Sequence, residues 1–123
     1  MRDRLRALPP FADLDDEQLD RLAACTSEFA APAGQALIER GRPGSGLFVL
    51  QEGEALVEAP EGTRRLGPGD IFGERSLLGD DPARTARVRA RTNVRCLAIA
   101  RTELERLIGE SPSVAERLRD LSS

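Results

Sequence analysis

The amino-acid sequence predicts a mainly β fold with flanking helices, an antiparallel sandwich or barrel whose natural closed form is a jelly roll. Three observations support this fold class. Residues 28–100 carry many short apolar runs separated by glycine- and proline-containing turns, a pattern typical of antiparallel rolls and barrels. Segments with helical periodicity precede and follow these runs. A chain of 123 residues supports one hydrophobic core, so we expect residues 1–123 to form a single domain.

The N-terminal helical segment is expected over residues 1–27. Asp15 and Gln18 have the spacing of a capping box, and Leu14 and Leu19 occupy the positions of a hydrophobic staple. Pro9 and its neighbour Pro10 end a shorter helical stretch before this cap. The pattern therefore predicts a short helix followed by an amphipathic one.

The middle segment, residues 28–100, is expected to form the roll. Its candidate strands are residues 29–30, 36–38, 47–50, 55–57, the surroundings of residue 66, and residues 71–72, 86–90 and 96–99. Arg87, Arg89 and Arg91 alternate with small apolar residues, which indicates one charged and one apolar strand face. We interpret the charged face as a solvated surface rather than a docking patch for an acidic partner.

The C-terminal segment, residues 101–123, is expected to be helical. Thr102 and Glu105 form a second capping-box pattern, and Gly109 suits the end of that helix. Ser111 and the following proline start a further short helix. The apolar residues of this last helix share one face: Val114, Leu118 and Leu121.

Composition excludes several function classes. The chain has no histidine, which removes the commonest general base, the Ser-His and Cys-His nucleophile pairs and metal sites that need imidazole, so we expect no enzyme and no metal. All 18 cations are arginine, and 21 carboxylates leave a net charge of −3. A protein that binds nucleic acid through phosphates is expected to be positive, so direct nucleic-acid binding is not expected.

The cysteines and the N-terminus indicate a cytoplasmic protein. Cys25 and Cys96 are too few and too far apart for a disulfide framework, so we expect two buried thiols in a reducing compartment. No uncharged stretch approaches the ~18 residues of a membrane span, and charges occupy the N-terminus where a signal peptide needs apolar residues. We expect no association with a membrane.

Residues 69–86 depart from the strand-and-turn pattern around them and contain the candidate ligand-binding residues of the chain. Residues 74–78 have the composition of one helical turn, and Gly73 before them lets backbone amides approach a ligand. Arg84 supplies a planar guanidinium that can pair with a phosphate, and Thr85 adds a hydroxyl donor. The carboxylate of Glu74 suits sugar hydroxyls. These residues describe a pocket for a ribose and an attached phosphate.

This segment resembles the phosphate-binding cassette of the cyclic-nucleotide-binding domain family, which includes the catabolite activator protein and the regulatory subunits of cyclic-nucleotide-dependent kinases. The cassette spans residues 72–86. The residues that match the family pattern are Phe72, Gly73, Glu74, Ser76, Leu77, Pro82, Arg84, Thr85 and Ala86. The family's N-terminal helix, glycine-punctuated roll and later helices match nearly the whole chain. The resemblance therefore implies an eight-stranded antiparallel β-roll (jelly roll) with an N-terminal helix and two C-terminal helices.

The resemblance implies a role for each matched residue. Glu74 would accept a hydrogen bond from the ribose 2′-hydroxyl, and Arg84 would neutralise the cyclic phosphate. The backbone amides of Ser76, Thr85 and Ala86, with the Thr85 hydroxyl, would complete the phosphate cradle. We include Gly73 and Arg75 in the ligand-binding set; Arg75 stands where relatives often have an aliphatic residue. The resemblance implies cAMP or cGMP as the ligand, with no other cofactor, and leaves the base open.

The function implied is a regulatory sensor that binds a cyclic nucleotide and relays its occupancy through the C-terminal helices to an effector protein or domain. A homodimer is compatible with this function. The alternative is a degenerate domain that acts as a protein-interaction scaffold without nucleotide; a cupin-like enzyme is disfavoured by the missing histidines. The hairpin at residues 58–65 is short, and the sequence stops at Ser123, short of the purine cap of dimeric relatives. Both features predict weaker or less selective purine binding.

Overall fold

A computed structural model of the chain describes residues 1–39, 46–73 and 86–122. Within these residues the chain forms eight strands in two four-stranded sheets with helices before and after them, which confirms the predicted fold class. The strands are β1 (Thr26–Ala31), β2 (Ala36–Ile38), β3 (Gly46–Glu52), β4 (Ala55–Ala59), β5 (Gly62–Leu66), β6 (Ile71–Phe72), β7 (Arg87–Ala90) and β8 (Val94–Ala100). The helices are α1 (Arg2–Arg6), a 3₁₀ turn (Pro9–Phe11), α2 (Asp16–Ala24), α3 (Arg101–Glu110) and α4 (Pro112–Ser122).

The strands pair in an order that differs from their order along the chain. One sheet has the order β1-β8-β3-β6 and is here called the helix-side sheet, and the other has the order β2-β7-β4-β5 and is called the outer sheet. Every pairing between these strands is antiparallel. The chain crosses from one sheet to the other several times, and one such crossing lies between β6 and β7.

The helix-side sheet buries side chains on both of its faces. In β3, Leu47 and Val49 pack with the helices, while Leu50 and the partly buried Phe48 belong to the apolar layer between the two sheets. Side chains alternate between the two faces of a strand, so two buried faces require an almost continuous apolar run. This explains why β3 and β8 have apolar sequences without the usual polar alternation.

The helices cover the outward face of the helix-side sheet with a second apolar cluster. Its largest fully buried side chains on helical segments are Leu5, Phe11, Leu19, Leu22, Leu104, Leu107 and Leu118. The predicted capping box of α2 is confirmed: the Asp15 side chain accepts from the Gln18 amide at 2.8 Å, and the Gln18 side chain accepts from the Asp15 amide at 3.1 Å. The staple residues Leu14 and Leu19 are both buried in this cluster.

The second predicted capping box is wrong. Helix α3 begins at Arg101, one residue before Thr102, and its N-cap is Ala100, which makes no side-chain cap hydrogen bond. The physical reason is that β8 continues to Ala100, so the strand passes directly into the helix. Glu105 pairs instead with Arg101 at 2.6 Å, one turn away. The helix also passes through Gly109 and ends at Glu110.

The prediction of two buried thiols holds for one cysteine only. Cys96 on β8 is buried between the sheets, and this burial raises the pKa of its thiol to about 11. Cys25 is exposed, which corrects the expectation, because it lies at the C-cap of α2 between the helix and β1 rather than on an inward strand face.

Candidate functional site

The predicted cassette lies at the crossing between the two sheets. Gly73 follows β6, the last strand in the order of the helix-side sheet, and Ala86 directly precedes β7 in the interior of the outer sheet. The other predicted ligand-binding residues lie outside the described residues: Glu74, Arg75, Ser76, Arg84 and Thr85. The structure therefore fixes the two ends of the cassette, one on each sheet.

The first two residues of the cassette are a buried phenylalanine that stacks on another ring and a glycine with a positive φ. Phe72 is buried, and its ring stacks on Phe48 with centroids 5.3 Å apart and planes 16° apart. The next residue, Gly73, has φ of +91°, a backbone conformation that residues with a Cβ rarely adopt. The sequence Phe-Gly therefore anchors the chain in the layer between the sheets and then turns it sharply into the cassette.

An aromatic group lines the inner face of the helix-side sheet. Phe29 on β1 packs edge-on against Phe48 on β3, with ring centroids 6.1 Å apart at 84°. Phe48 is in turn stacked on Phe72. The sequence places these residues on strands but does not reveal their grouping, because β1, β3 and β6 come together only through the sheet order. The three rings belong to the apolar layer between the two sheets.

The inner face of the outer sheet brings two apolar residues into one row with Arg64. Val57 on β4 is directly opposite Val88 on β7 and Arg64 on β5. Both valines pack in the layer between the sheets, so this row lies on the inner face. From the sequence alone, Arg64 cannot be distinguished from the other arginine beside it in the predicted hairpin. The signal that could have placed it on the inner face is its position two residues before Leu66, which is buried, because side chains two residues apart on a strand project from the same face.

The outward face of the outer sheet is charged, as predicted for a solvated surface. Its ion pairs join Arg87 to Glu39 at 3.4 Å, Arg89 to Glu58 at 2.9 Å, and Arg91 to Glu54 at 2.5 Å. All these side chains are more than a quarter exposed, so each pair contributes little to stability. The three arginines are thus paired with carboxylates on the strands of the outer sheet or directly next to them.

Comparison with known proteins identifies the family. The model of the cyclic nucleotide-binding domain family matches residues 28–111, which include the roll and α3. The chain belongs to the cyclic nucleotide-binding domain family. This family's domain is a regulatory module with a β-roll fold.

Relatives of this cyclic nucleotide-binding domain occur in channels and kinases. A cyclic nucleotide-gated potassium channel from Rhizobium etli is 33% identical over 113 residues, covering 92% of this chain and 32% of the channel. A cAMP-dependent protein kinase regulatory subunit from Emericella nidulans is 32% identical over 116 residues, covering 92% of this chain and 28% of the subunit. The chain thus spans about a third of the length of these curated relatives.

A solved structure shows the same fold in a related subunit. The regulatory subunit of a cAMP-independent protein kinase A from Trypanosoma brucei superimposes with a TM-score of 0.84 at 27% identity, covering 98% of this chain and 43% of that chain. Because the superposition covers 98% of this chain, it includes the helices that precede β1 and those that follow β8.

Polar contacts join the N-terminal and C-terminal helices of the domain. Arg21 on α2 lies between two carboxylates of α3, at 3.1 Å from Glu103 and 2.5 Å from Glu110. Glu103 is only 8% exposed, which makes it the buried charged residue of the described chain. Gln18 donates to the Ser111 hydroxyl at 3.3 Å, at the joint between α3 and α4. We call Arg21, Glu103 and Glu110 the helix latch.

A second contact joins α4 to the N-terminal segment. Arg117 donates to the backbone carbonyl of Pro9 at 2.8 Å and pairs with Asp13. Val114 and Leu118, on the face of α4 predicted from the sequence, are buried in the helical cluster. The N-terminal segment and the two C-terminal helices therefore form one packed layer on the helix-side sheet.

The helix latch predicts a pH-dependent stability. Its hydrogen bond from Arg21 holds the pKa of Glu110 below the ordinary value of 4.5. A lowered carboxyl pKa stabilises the folded state above the ordinary pKa, and this contribution is lost as the pH falls through the lower folded value. We expect Arg21→Ala to lower the melting temperature at pH 7, with a difference from wild type that shrinks towards pH 3.

Thermal unfolding across this pH range checks the prediction. Arg106→Ala is the control, because Arg106 reaches the same Glu110 at 3.3 Å from a side chain that is 58% exposed, and its effect should be smaller. If Arg21→Ala lowered the melting temperature by the same amount at pH 3 and at pH 7, the ion pairs of the helix latch would contribute nothing to stability.

Among residues 1–39, 46–73 and 86–122, no group of three or more Cys, Asp or Glu side chains is arranged to hold a metal ion. None of the described helices combines the length and apolarity that a membrane span needs.

Proposed function

We propose that this domain binds a cyclic nucleotide, cAMP or cGMP, between the inner faces of its two sheets and relays occupancy through its C-terminal helices to an effector. The observation that carries the proposal is the position of the cassette. A sequence with the family's phosphate-binding pattern starts at Phe72 on β6 of one sheet and ends at Ala86, directly before β7 of the other. A ligand held by this segment would face the layer between the sheets.

Each predicted cassette residue has a proposed task. Arg84 pairs with the cyclic phosphate through its planar guanidinium, and Glu74 accepts a hydrogen bond from the ribose 2′-hydroxyl. The backbone amides of Ser76, Thr85 and Ala86 and the Thr85 hydroxyl complete the phosphate cradle. A phosphate is bound by hydrogen-bond donors, and ribose hydroxyls can donate to a carboxylate. The proposed binding residues supply both kinds of group, so nucleotide binding requires neither histidine nor a metal ion.

Gly73 and Arg75 complete the proposed set. The positive φ of Gly73 supports its task, since it lets the backbone turn towards the ligand without a Cβ in the way. Arg75 adds positive charge next to Glu74 in the sequence, which favours an anionic ligand.

The packing of the helices supports a relay. Helix α3 follows β8 without a loop and packs, through Leu104 and Leu107, in the same cluster as Leu97 and Ile99 of β8. The opposite face of this strand carries Cys96, which lies in the layer between the sheets. A ligand can shift the helices only by binding one of their arrangements more tightly than the other. The effector that reads this shift is a partner protein or another domain.

Thermal unfolding with added nucleotide tests the proposal. A ligand at about 100 times its Kd stabilises a folded protein by about 2.7 kcal/mol, so cAMP or cGMP should raise the melting temperature by several degrees. 5′-AMP at equal concentration is the control for general anion binding, because it lacks the cyclic phosphate. An equal shift with 5′-AMP, or none with either cyclic nucleotide at millimolar concentration, would contradict cyclic-nucleotide binding.

A second candidate function is a protein-interaction scaffold that binds no cyclic nucleotide. The observation that favours it is the close structural match to the regulatory subunit of a cAMP-independent kinase. The same fold is therefore found in a subunit whose kinase is described as independent of cAMP. The melting experiment separates the two candidates, because a scaffold without a nucleotide site shows no specific shift.

A further inference from the structure

We propose that Arg21 is a positioning residue for the relay: it clamps α3 against α2 and so sets the affinity of the domain for a nucleotide that it does not touch. The inference rests on the proposed function, because its readout is nucleotide affinity. It adds a control point, the helix latch, on the outward face of the helix-side sheet, whereas the proposed ligand site lies between the two sheets.

Arg21 reaches both ends of α3. Glu103 lies in the first turn of this helix and Glu110 is its last residue, so two helical turns, or about 10 Å, separate them along one side. The Nε atom of Arg21 lies 3.1 Å from Glu103, and one of its terminal nitrogens lies 2.5 Å from Glu110. A contact at one end would let α3 pivot, whereas contacts at both ends fix its direction against α2.

The burial of the helix latch favours positioning over stability. Glu103 is 8% exposed, and the side chain of Arg21 is 23% exposed. Their closest atoms, Oε1 and Nε, are buried, and neither has a hydrogen-bond partner in the part of the chain that the structure describes. A buried ion pair with incomplete hydrogen bonding offsets little of its desolvation cost, and apolar residues of similar volume often stabilise a fold as well. The best-attested use of such a pair is to hold one arrangement of packed elements.

One strand separates α3 from the layer between the sheets. Leu97 and Ile99 of β8 pack in the same cluster as the buried leucines of α3. Cys96 projects the other way, into the layer between the sheets, where it is directly opposite Phe29 on β1 and Leu50 on β3. A change in the direction of α3 therefore acts on a strand whose other face belongs to this layer.

The helix latch can change affinity from a distance. If a nucleotide binds one direction of α3 more tightly than another, its apparent Kd depends on the fraction of molecules that already have that direction. Arg21 sets this fraction through its two carboxylate partners. Because the latch and the proposed ligand site lie on opposite faces of the helix-side sheet, cAMP and cGMP should be affected by the same factor.

Titration calorimetry on the whole chain tests the inference with a double variant, Arg21→Met combined with Glu103→Leu. This variant removes both buried charges and keeps apolar volume in their place, so its melting temperature should stay close to that of wild type. We expect its Kd for each cyclic nucleotide to differ from the wild-type value by about fivefold or more. Arg106→Met is the matched control, because Arg106 pairs with Glu110 within α3 itself and should leave Kd unchanged.

Arg21→Lys is a second variant, which keeps the charge at this position. A lysine ammonium is one point of charge and does not span two carboxylates as the two nitrogens of Arg21 do. It should move Kd in the same direction as the double variant. A rise in Kd would show that the nucleotide prefers the latched direction of α3, and a fall would show that it prefers the released one; either change supports the positioning role.

The outcomes distinguish this inference from the proposed function. If wild type binds neither cyclic nucleotide, the proposed function fails and this inference fails with it. If wild type binds and the folded latch variants keep its Kd, only the positioning role of Arg21 is overturned. The same follows if Arg106→Met changes Kd by an equal factor, because the effect would then come from surface charge.

Discussion

Phe11→Ala is expected to lower the free energy of unfolding by about 3–5 kcal/mol, the usual cost of removing a fully buried phenylalanine. Phe11 is 0% exposed and lies in the cluster between the helices and the helix-side sheet. It ends the 3₁₀ turn whose Pro9 carbonyl accepts from Arg117 on α4. The substitution would leave a cavity where the N-terminal segment, α4 and the sheet meet.

Urea unfolding measures this cost, with Phe11→Leu as the matched control. Leucine keeps most of the apolar volume, so the control should lose less than about 1.5 kcal/mol. Because small domains are stable by only about 5–15 kcal/mol, Phe11→Ala should lose a large part of the total. Equal losses for the two variants would show that Phe11 does not fill a tightly packed site.

Arg84→Ala is expected to weaken cyclic-nucleotide binding by about one to two decades. A hydrogen bond to a charged group contributes about 1.5–3 kcal/mol, and each 1.4 kcal/mol changes Kd tenfold. The loss should apply equally to cAMP and cGMP, because the two ligands share the cyclic phosphate. An equal loss for both nucleotides distinguishes a contact with the phosphate from a contact with the base, which would change the ratio between the two dissociation constants.

Arg87→Ala is the matched control for Arg84→Ala. Arg87 lies three residues later in the sequence, but its side chain pairs with Glu39 on the outward face of the outer sheet. We expect titration calorimetry to give the wild-type Kd for Arg87→Ala. An Arg84→Ala variant that binds as tightly as wild type would place the phosphate elsewhere.

Local patterns in the sequence predict the strands and helices well. The turn residues between short apolar runs indicate the strands, and the Asp15–Gln18 box fixes the start of α2 through hydrogen bonds within one helical turn. The same pattern at Thr102 and Glu105 fails because β8 extends to Ala100 and feeds directly into α3. A capping box predicts a helix start only where the chain has left its preceding strand.

The arrangement of the site depends on contacts between distant segments, which local patterns do not contain. The Phe29, Phe48 and Phe72 group and the position of Arg64 opposite Val57 both follow from the sheet pairing. Exposure at Cys25 follows from its place at a helix end and not from its residue type. The cassette is different, because its glycine, glutamate and arginine lie within one stretch, residues 72–86, whose pattern can be recognised before the fold is known.

Titration of the wild-type chain with cAMP and cGMP by isothermal calorimetry tests the central claim most directly. The proposed function predicts saturable binding of at least one cyclic nucleotide with one site per chain. The absence of binding heat for both nucleotides at millimolar concentration, at more than one temperature and with folded protein, would contradict the claim.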